Sequence, residues 1–186
     1  MKVAKHTFDA VIVGAGGAGF PAYAKLSGKV RWVIVNGAEC EPLLRLDPYL
    51  LERRPDAVLR GLQIAMEATG AEHGYVAIKA KHESAVARLE EAVRPLPNVS
   101  VFRLDDFYPA GDEHVLVYEV LGITVPEGGI PPQVGVLVNN VQTLMQVAAA
   151  VDEGKPVTDK WLTIAGWVKN PVTVCVPLGT PVREVL

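Results

Sequence analysis

The chain has 186 residues, a formal net charge of −3 and a hydrophobic content of 49%, enough to bury a sizeable core. This length predicts one domain, or one domain with a short appendage. The charge gives no basic excess for holding a nucleic-acid backbone, and no apolar run is long enough to span a bilayer. The N-terminus has no apolar segment typical of a signal peptide. We therefore expect a cytoplasmic protein with no nucleic-acid partner and no transmembrane segment.

Strands and helices are predicted to alternate as far as residue 151. Apolar runs typical of buried parallel strands occupy residues 8–13, 30–35, 74–80, 99–104 and 134–138. Apolar residues near helical spacing predict helices at 21–26, 56–69, 82–93, 112–121 and 141–151. We expect Asn36 and Gly37 to end the second strand, and residues 38–48 to form a polar loop. The alternation predicts an α/β fold, a Rossmann-like parallel sheet with helices on both faces.

The tail has a different pattern. Residues 160–166 and 171–177 are predicted as two short strands of a hairpin, and a helix begins within residues 178–186. The apolar face of that helix has no later element to pack on, so we expect a fragment of a longer protein or an element that docks elsewhere. We assign residues 1–158 to the main domain and 159–186 to a short β appendage.

A glycine-rich segment follows the first predicted strand. Gly14, Gly16 and Gly19 satisfy the spacing of a dinucleotide-binding loop, in which backbone N–H groups approach a phosphate closely. The structural alternative is a tight turn without a ligand, but four glycines in the six residues 14–19 exceed what a turn needs. Glu39 stands near the place where an ordinary Rossmann domain has its ribose-binding acid, so that interpretation stays open.

Three further polar segments follow predicted strands, at the edge where ligands collect in parallel sheets. They are residues 36–42, with Asn36, Glu39 and Glu41; residues 108–113, with Tyr108, Gly111, Asp112 and Glu113; and residues 139–143, with Asn139, Asn140 and Thr143. Asp112 and Glu113 would also suit a helix N-terminus, and Asn139 or Asn140 would suit a helix cap. A role at a helix N-terminus explains each polar segment taken by itself. It explains less well why such segments recur at successive strand ends.

No other chemistry is indicated by the sequence. The two cysteines, Cys40 and Cys175, are far apart and give neither a zinc framework nor an iron–sulfur ligand set. The four histidines have no metal-ligand spacing, and no serine lies in a nucleophile-elbow context. We expect no metal site and no nucleophilic triad.

The four polar segments, taken together and in this order, resemble the flavin-bearing subunit of respiratory complex I, and more closely the C subunit of the Rnf electron-transport complex and cobalamin reductases. The matching pieces are residues 14–21 with Lys25, 36–42, 108–113 and 139–143. Ala15 and Ala38 stand where the complex I version has arginine and aspartate, which points to the Rnf-like branch. The tail resembles the start of a small β-grasp module of the SLBB type.

This resemblance implies an FMN site and an NADH-oxidising activity. The residues implied for FMN are Gly14, Gly16, Lys25, Asn36, Glu39, Tyr108, Gly111, Asp112, Glu113, Asn139, Asn140 and Thr143. Those implied for NADH are Gly17, Ala18, Phe20 and Glu41. The flavin would carry the redox chemistry, and the protein would supply binding and orientation.

The resemblance also implies partners. Electrons would pass to iron–sulfur clusters in a missing C-terminal region or in other electron-transfer subunits, at the cytoplasmic face of a membrane complex. The alternatives are an ordinary Rossmann half that uses FAD or NAD, and a binding or scaffold module that keeps the fold without cofactor turnover.

Overall fold

The computed structural model describes residues 22–185, and these contain a four-stranded parallel sheet. Its strands are β1 (Trp32–Gly37), β2 (His73–Lys79), β3 (Val99–Leu104) and β4 (Val136–Asn140), in the order β3-β2-β1-β4. The predicted strand at residues 8–13 and the glycine-rich segment lie outside the described residues. Parallel pairing of all four strands confirms the predicted sheet type.

Seven helices lie among the described residues. They are α1 (Ala22–Leu26), α2 (Leu46–Arg53), α3 (Pro55–Thr69), α4 (Glu83–Ala92), α5 (Glu113–Leu121), α6 (Val141–Glu153) and α7 (Val182–Val185). A 3₁₀ turn at Pro131–Val134 precedes β4. Gly70 and Gly122 end α3 and α5 with φ of 72° and 68°, in the left-handed region that favours glycine.

Both faces of the sheet are covered, because alternate residues of each strand enter different cores. On one face, Val33 and Val35 of β1 pack in a cluster with Leu62 of α3 and Leu144 of α6. On the other face, Ile34 packs in a cluster with Leu116 of α5. The predicted arrangement of helices on both faces is confirmed, and it leaves the strand ends as the place where polar groups collect.

Three predicted boundaries were wrong at the edge of the sheet where the site forms. Strand β1 runs through Asn36 to Gly37, and β4 runs to Asn140, so each strand extends two residues further than expected. Helix α2 begins at Leu46, inside the segment predicted as loop. In all three places polar residues take part in a regular element, because tertiary contacts stabilise them there.

The tail forms a two-stranded antiparallel hairpin, as predicted, from β5 (Asp159–Ile164) and β6 (Val172–Pro177). The side-chain amide of Gln142 holds it to α6: its Nε2 donates to the Trp161 carbonyl at 3.3 Å, and the Trp161 N–H donates to its Oε1 at 3.0 Å. The Trp161 ring also lies 6.1 Å from the ring of Tyr49 in α2. The hairpin is thus docked beside the first turn of α6.

Candidate functional site

The carboxyl ends of β1 and β4 form the topological switch point of the sheet. From β1 the chain continues to β2 and β3 on one side, and it returns to β4 on the other. The register places Asn36 of β1 beside Asn140 of β4. Ligands of open parallel sheets bind in the crevice at such a point, because the two neighbouring loops diverge there.

The loop after β1 is tied to the loop after β3 through the peptide groups of Gly111. Asn36 Nδ2 donates to the Gly111 carbonyl at 2.8 Å, and the Gly111 N–H donates to Cys40 Sγ at 3.0 Å. Asn36 Oδ1 accepts from the N–H of Ala38 at 3.2 Å, which fixes the rotamer of the Asn36 amide. Two segments identified from the sequence are therefore joined directly.

Lys25 of α1 reaches the same edge. Its Nζ donates to Glu113 Oε1 at 2.9 Å and to the Val138 carbonyl at 3.2 Å. The side chains of Lys25 and Glu113 are 24% and 43% exposed, so the ion pair lies at the margin of the site. Lys25 brings a positive charge between α5 and the end of β4.

The segment after β4 combines a helix cap with two further polar side chains. Asn140 caps α6, since its Oδ1 accepts from the Gln142 N–H at 2.9 Å. Asn139 and Thr143 are only 5% and 6% exposed, and their side chains form no hydrogen bond within the described part of the chain. No fully buried side-chain polar atom lacks a partner among residues 22–185. The unpartnered polar atoms of Asn139 and Thr143 therefore keep some solvent-accessible surface.

Two carboxylates lie at the base of the crevice. Asp47 is 8% exposed, and its Oδ2 accepts from Asn140 Nδ2 at 3.0 Å. Burial, reinforced by the charge of Glu39, raises the pKa of Asp47 to about 7. The pKa of Glu39 is also raised, mainly by burial. The backbone of Glu39 has a positive φ of 29°, the only such non-glycine residue among those described.

The remaining predicted residues sit at the rim. Asp112, expected inside the first turn of a helix, instead precedes α5 as its cap, and its Oδ1 accepts from the N–H groups of His114 and Val115 at 2.9 and 3.2 Å. Tyr108 is 79% exposed, and Glu41 is exposed in the loop after β1. Both side chains are available to a ligand that enters the crevice from solvent.

The structure therefore brings together most of the residues that the sequence suggested. Lys25, Asn36, Glu39, Gly111, Glu113, Asn139, Asn140 and Thr143 surround the ends of β1 and β4, with Glu41, Tyr108 and Asp112 in the adjoining loops. Gly14, Gly16, Gly17, Ala18 and Phe20 lie outside the described residues. Their assignment to cofactor and NADH, like that of the other site residues, stays a prediction.

Sequence reasoning missed three residues that shape this edge. Cys40 was considered only as a possible metal or cluster ligand, yet its sulfur accepts a hydrogen bond from the Gly111 N–H. Asp47 was placed in a loop, and Gln142 was given no role. The only signal in the sequence was their position near the polar segments, since each acts through a contact with a distant part of the chain.

Within residues 22–185 no group of three or more His, Cys, Asp or Glu side chains could hold a metal ion. None of the helices in the same range is long and apolar enough to cross a membrane. Cys40 and Cys175 are free thiols.

A parallel α/β sheet with polar side chains at its switch point is an arrangement that many nucleotide- and flavin-binding domains share. Comparison with known families identifies the kind of domain: the family described as the Nuo51 FMN-binding domain matches residues 8–149. The chain belongs to that family.

Individual relatives agree with this assignment. The chain is 45% identical over its whole length to cobalamin reductase PduS of Salmonella typhimurium, of which it covers 41%. It is 36% identical, over 99% of its length, to the C subunit of the Na⁺-translocating ferredoxin:NAD⁺ oxidoreductase complex of Acetobacterium woodii, of which it covers 43%. The predicted resemblance to the Rnf-like branch is thereby confirmed. The chain spans about two fifths of the length of these relatives.

A solved structure shows the same fold. The NAD⁺-reducing [NiFe]-hydrogenase in its H₂-reduced state contains a chain that is 26% identical, with a TM-score of 0.81. The match covers 94% of the present chain and 36% of the hydrogenase chain. This similarity confirms the predicted α/β fold class.

Proposed function

We propose that this chain binds FMN non-covalently in the crevice between the ends of β1 and β4, as part of an NADH-oxidising flavoprotein. The observation that carries the proposal is the pair Asn139 and Thr143, nearly buried at the switch point with free hydrogen-bonding capacity. Membership of an FMN-binding family supports the choice of FMN over other nucleotides.

The donor set at this edge fits a flavin mononucleotide. A phosphate needs hydrogen-bond donors, and Asn139, Thr143 and the first turn of α6 supply them. Ribityl hydroxyls and ring N–H groups need acceptors, which the Glu39 carboxylate and the backbone carbonyls of the loops supply. When bound, FMN would supply the ability to take up a hydride and release electrons singly.

The chain's own residues would bind and orient the reactants. Lys25, tied to Glu113, would offset negative charge at the end of β4. Asn36 and Cys40 would hold the loop around Gly111, and Glu41 with Phe20 would lie beside the incoming NADH. No side chain here need act as an acid or base.

The electron acceptor belongs to a larger assembly in this proposal. Two distant cysteines cannot provide the four ligands of an iron–sulfur cluster, so we place the clusters outside these 186 residues. The relatives are named for ferredoxin:NAD⁺ oxidoreduction and for cobalamin reduction, which supports electron transfer to iron–sulfur partners. Several relatives are C subunits of ion-translocating complexes, so we propose attachment at the cytoplasmic face of a membrane complex through partner subunits.

A substitution at Glu41 tests the proposed contact with NADH. Its exposed carboxylate stands in the loop after β1, beside the proposed flavin and at the position implied for nucleotide contact. We expect Glu41→Gln to leave the FMN dissociation constant within about twofold and to slow flavin reduction by NADH about tenfold, measured by stopped-flow absorbance.

The matched control is Glu67→Gln, an exposed glutamate on α3. Equal reduction rates in the Glu41 and Glu67 variants would contradict the assignment of Glu41. A wild-type chain that binds FMN and is not reduced by NADH would favour the scaffold alternative. A wild-type chain that stays colourless after reconstitution would contradict the proposal as a whole.

A further inference from the structure

The peptide groups on both sides of Gly111 are held by side chains from a different loop. The Gly111 carbonyl accepts from Asn36 Nδ2 at 2.8 Å, and the Gly111 N–H donates to Cys40 Sγ at 3.0 Å. Both partners belong to the end of β1 and its loop, whereas Gly111 precedes α5. These two contacts are the direct side-chain hydrogen bonds between the two loops within the described residues.

The approach of the two loops is close at Gly111. A Cβ added at Gly111 would lie 3.1 Å from Cys40 Sγ and 3.5 Å from the Ala38 Cβ. A side chain at position 111 would therefore crowd the Cys40 sulfur. Cys40 is half-buried, and the adjacent Ala110 is fully buried, so the loop has little freedom to move away.

Gly111 stands immediately before residues that organise this part of the site. Asp112 caps α5, and Glu113 pairs with Lys25 at 2.9 Å. The placement of Gly111 thus sets where α5 begins and where the Lys25–Glu113 pair lies. A change at Cys40 would reach the crevice through this loop.

We propose that Cys40 is a positioning residue of the flavin site: its sulfur and the Asn36 amide clamp Gly111 and fix the 108–113 loop against the 36–42 loop. The effect on flavin rests on the proposed function, whereas the clamp itself does not. Sulfur is a weak hydrogen-bond acceptor, and the clamp depends on an acceptor atom at position 40 that the Gly111 N–H can reach.

The experiment compares four proteins: the wild-type chain, Cys40→Ala, Cys40→Ser and Cys175→Ala. Cys175 is the matched control because it is an exposed cysteine on the hairpin strand β6. Each protein is titrated with FMN, and the visible circular dichroism of the bound flavin is recorded as a measure of its orientation. Thermal melting establishes that each variant is folded.

We expect Cys40→Ala to weaken FMN binding about fivefold, the loss typical of one hydrogen bond, and to change the flavin dichroism. Cys40→Ser keeps an acceptor and should stay within about twofold of the wild type with the same dichroism. Cys175→Ala should match the wild type. A Cys40→Ala protein with wild-type affinity and dichroism, or a Cys40→Ser protein as impaired as Cys40→Ala, would overturn the proposal.

Hydrogen exchange of the cofactor-free proteins separates the clamp from the proposed function. If the wild type bound no FMN, the proposed function would fail, but exchange at Gly111 would still report the clamp. We expect peptides covering residues 105–112 to exchange faster in Cys40→Ala than in the wild type and Cys175→Ala. Equal exchange in all three proteins would overturn the clamp irrespective of flavin.

Discussion

The contact between α3 and α6 and the carboxyl edge of the sheet are stabilised in opposite ways. At the helix contact, Gly61 lies against the backbone of Leu144, and the surrounding side chains are apolar and buried. At the sheet edge, distant segments are joined by single hydrogen bonds that involve the side chains of Asn36, Cys40 and Asn140. The first region gains stability from close packing, whereas the second loses some of it by burying polar groups.

The largest loss of stability should come from adding a side chain at the contact between α3 and α6. A Cβ at Gly61 would overlap the Leu144 carbonyl oxygen, a clash that only backbone movement can relieve. We expect Gly61→Ala to lower the free energy of unfolding by about 3 kcal/mol, measured by urea denaturation.

Gly28→Ala is the control for that substitution, because a Cβ there would have nothing within 4 Å. Its free energy of unfolding should stay within about 0.5 kcal/mol of the wild type. A Gly61→Ala protein as stable as Gly28→Ala would contradict the view that close backbone packing sets the position of α6.

At the sheet edge the expected effect has the opposite sign, because removing the buried charge of Asp47 should stabilise the chain. The pKa of Asp47 is raised in the folded chain, from 3.8 to about 7, by burial and by Glu39. The folded state therefore binds more protons than the unfolded state between these values, and its stability falls as pH rises through this window. The full difference corresponds to about 4 kcal/mol above pH 7.

Asp47→Asn keeps an acceptor for Asn140 without the charge. In the cofactor-free chain we expect this variant to be more stable than the wild type at pH 8, and nearly equal to it at pH 4. Urea denaturation at several pH values measures the difference, with the exposed Asp105→Asn as control. Because the pKa of Glu39 is also raised, the stability of the variant should still fall with rising pH, but less steeply than that of the wild type. Parallel curves for the wild type and Asp47→Asn would show that Asp47 is not a buried charge.

The two regions also differ in how far the sequence predicts them. Helices α3 and α6 follow from apolar periodicity, which depends only on local residues. The grouping of Asn36, Gly111 and Asn139 at one edge follows from the rule that parallel strands end together. The ends of β1 and β4 and the start of α2 were wrong, because contacts across the sheet extend polar residues into regular structure.

The pairings within the site could not be derived in the same way. Cys40 with Gly111 and Asp47 with Asn140 are 71 and 93 positions apart, and nothing in either segment marks the other as its partner. A helix cap at Asn140 was foreseen as an alternative to ligand binding, whereas Asp112 was expected only to favour the helix dipole. In the structure capping occupies the Asn140 amide and leaves Asn139 and Thr143 available.

The most direct test of the account is a pair of titrations, with FMN and with riboflavin, of the wild type, Thr143→Val and Thr163→Val. Thr163 is the matched control, since its hydroxyl pairs with Thr173 in the hairpin. The account predicts that the wild type prefers FMN, that Thr143→Val loses about five- to tenfold in FMN affinity but little for riboflavin, and that Thr163→Val is unchanged. Equal affinity of the wild type for FMN and riboflavin, or an unaffected Thr143→Val, would contradict a phosphate site at the end of β4.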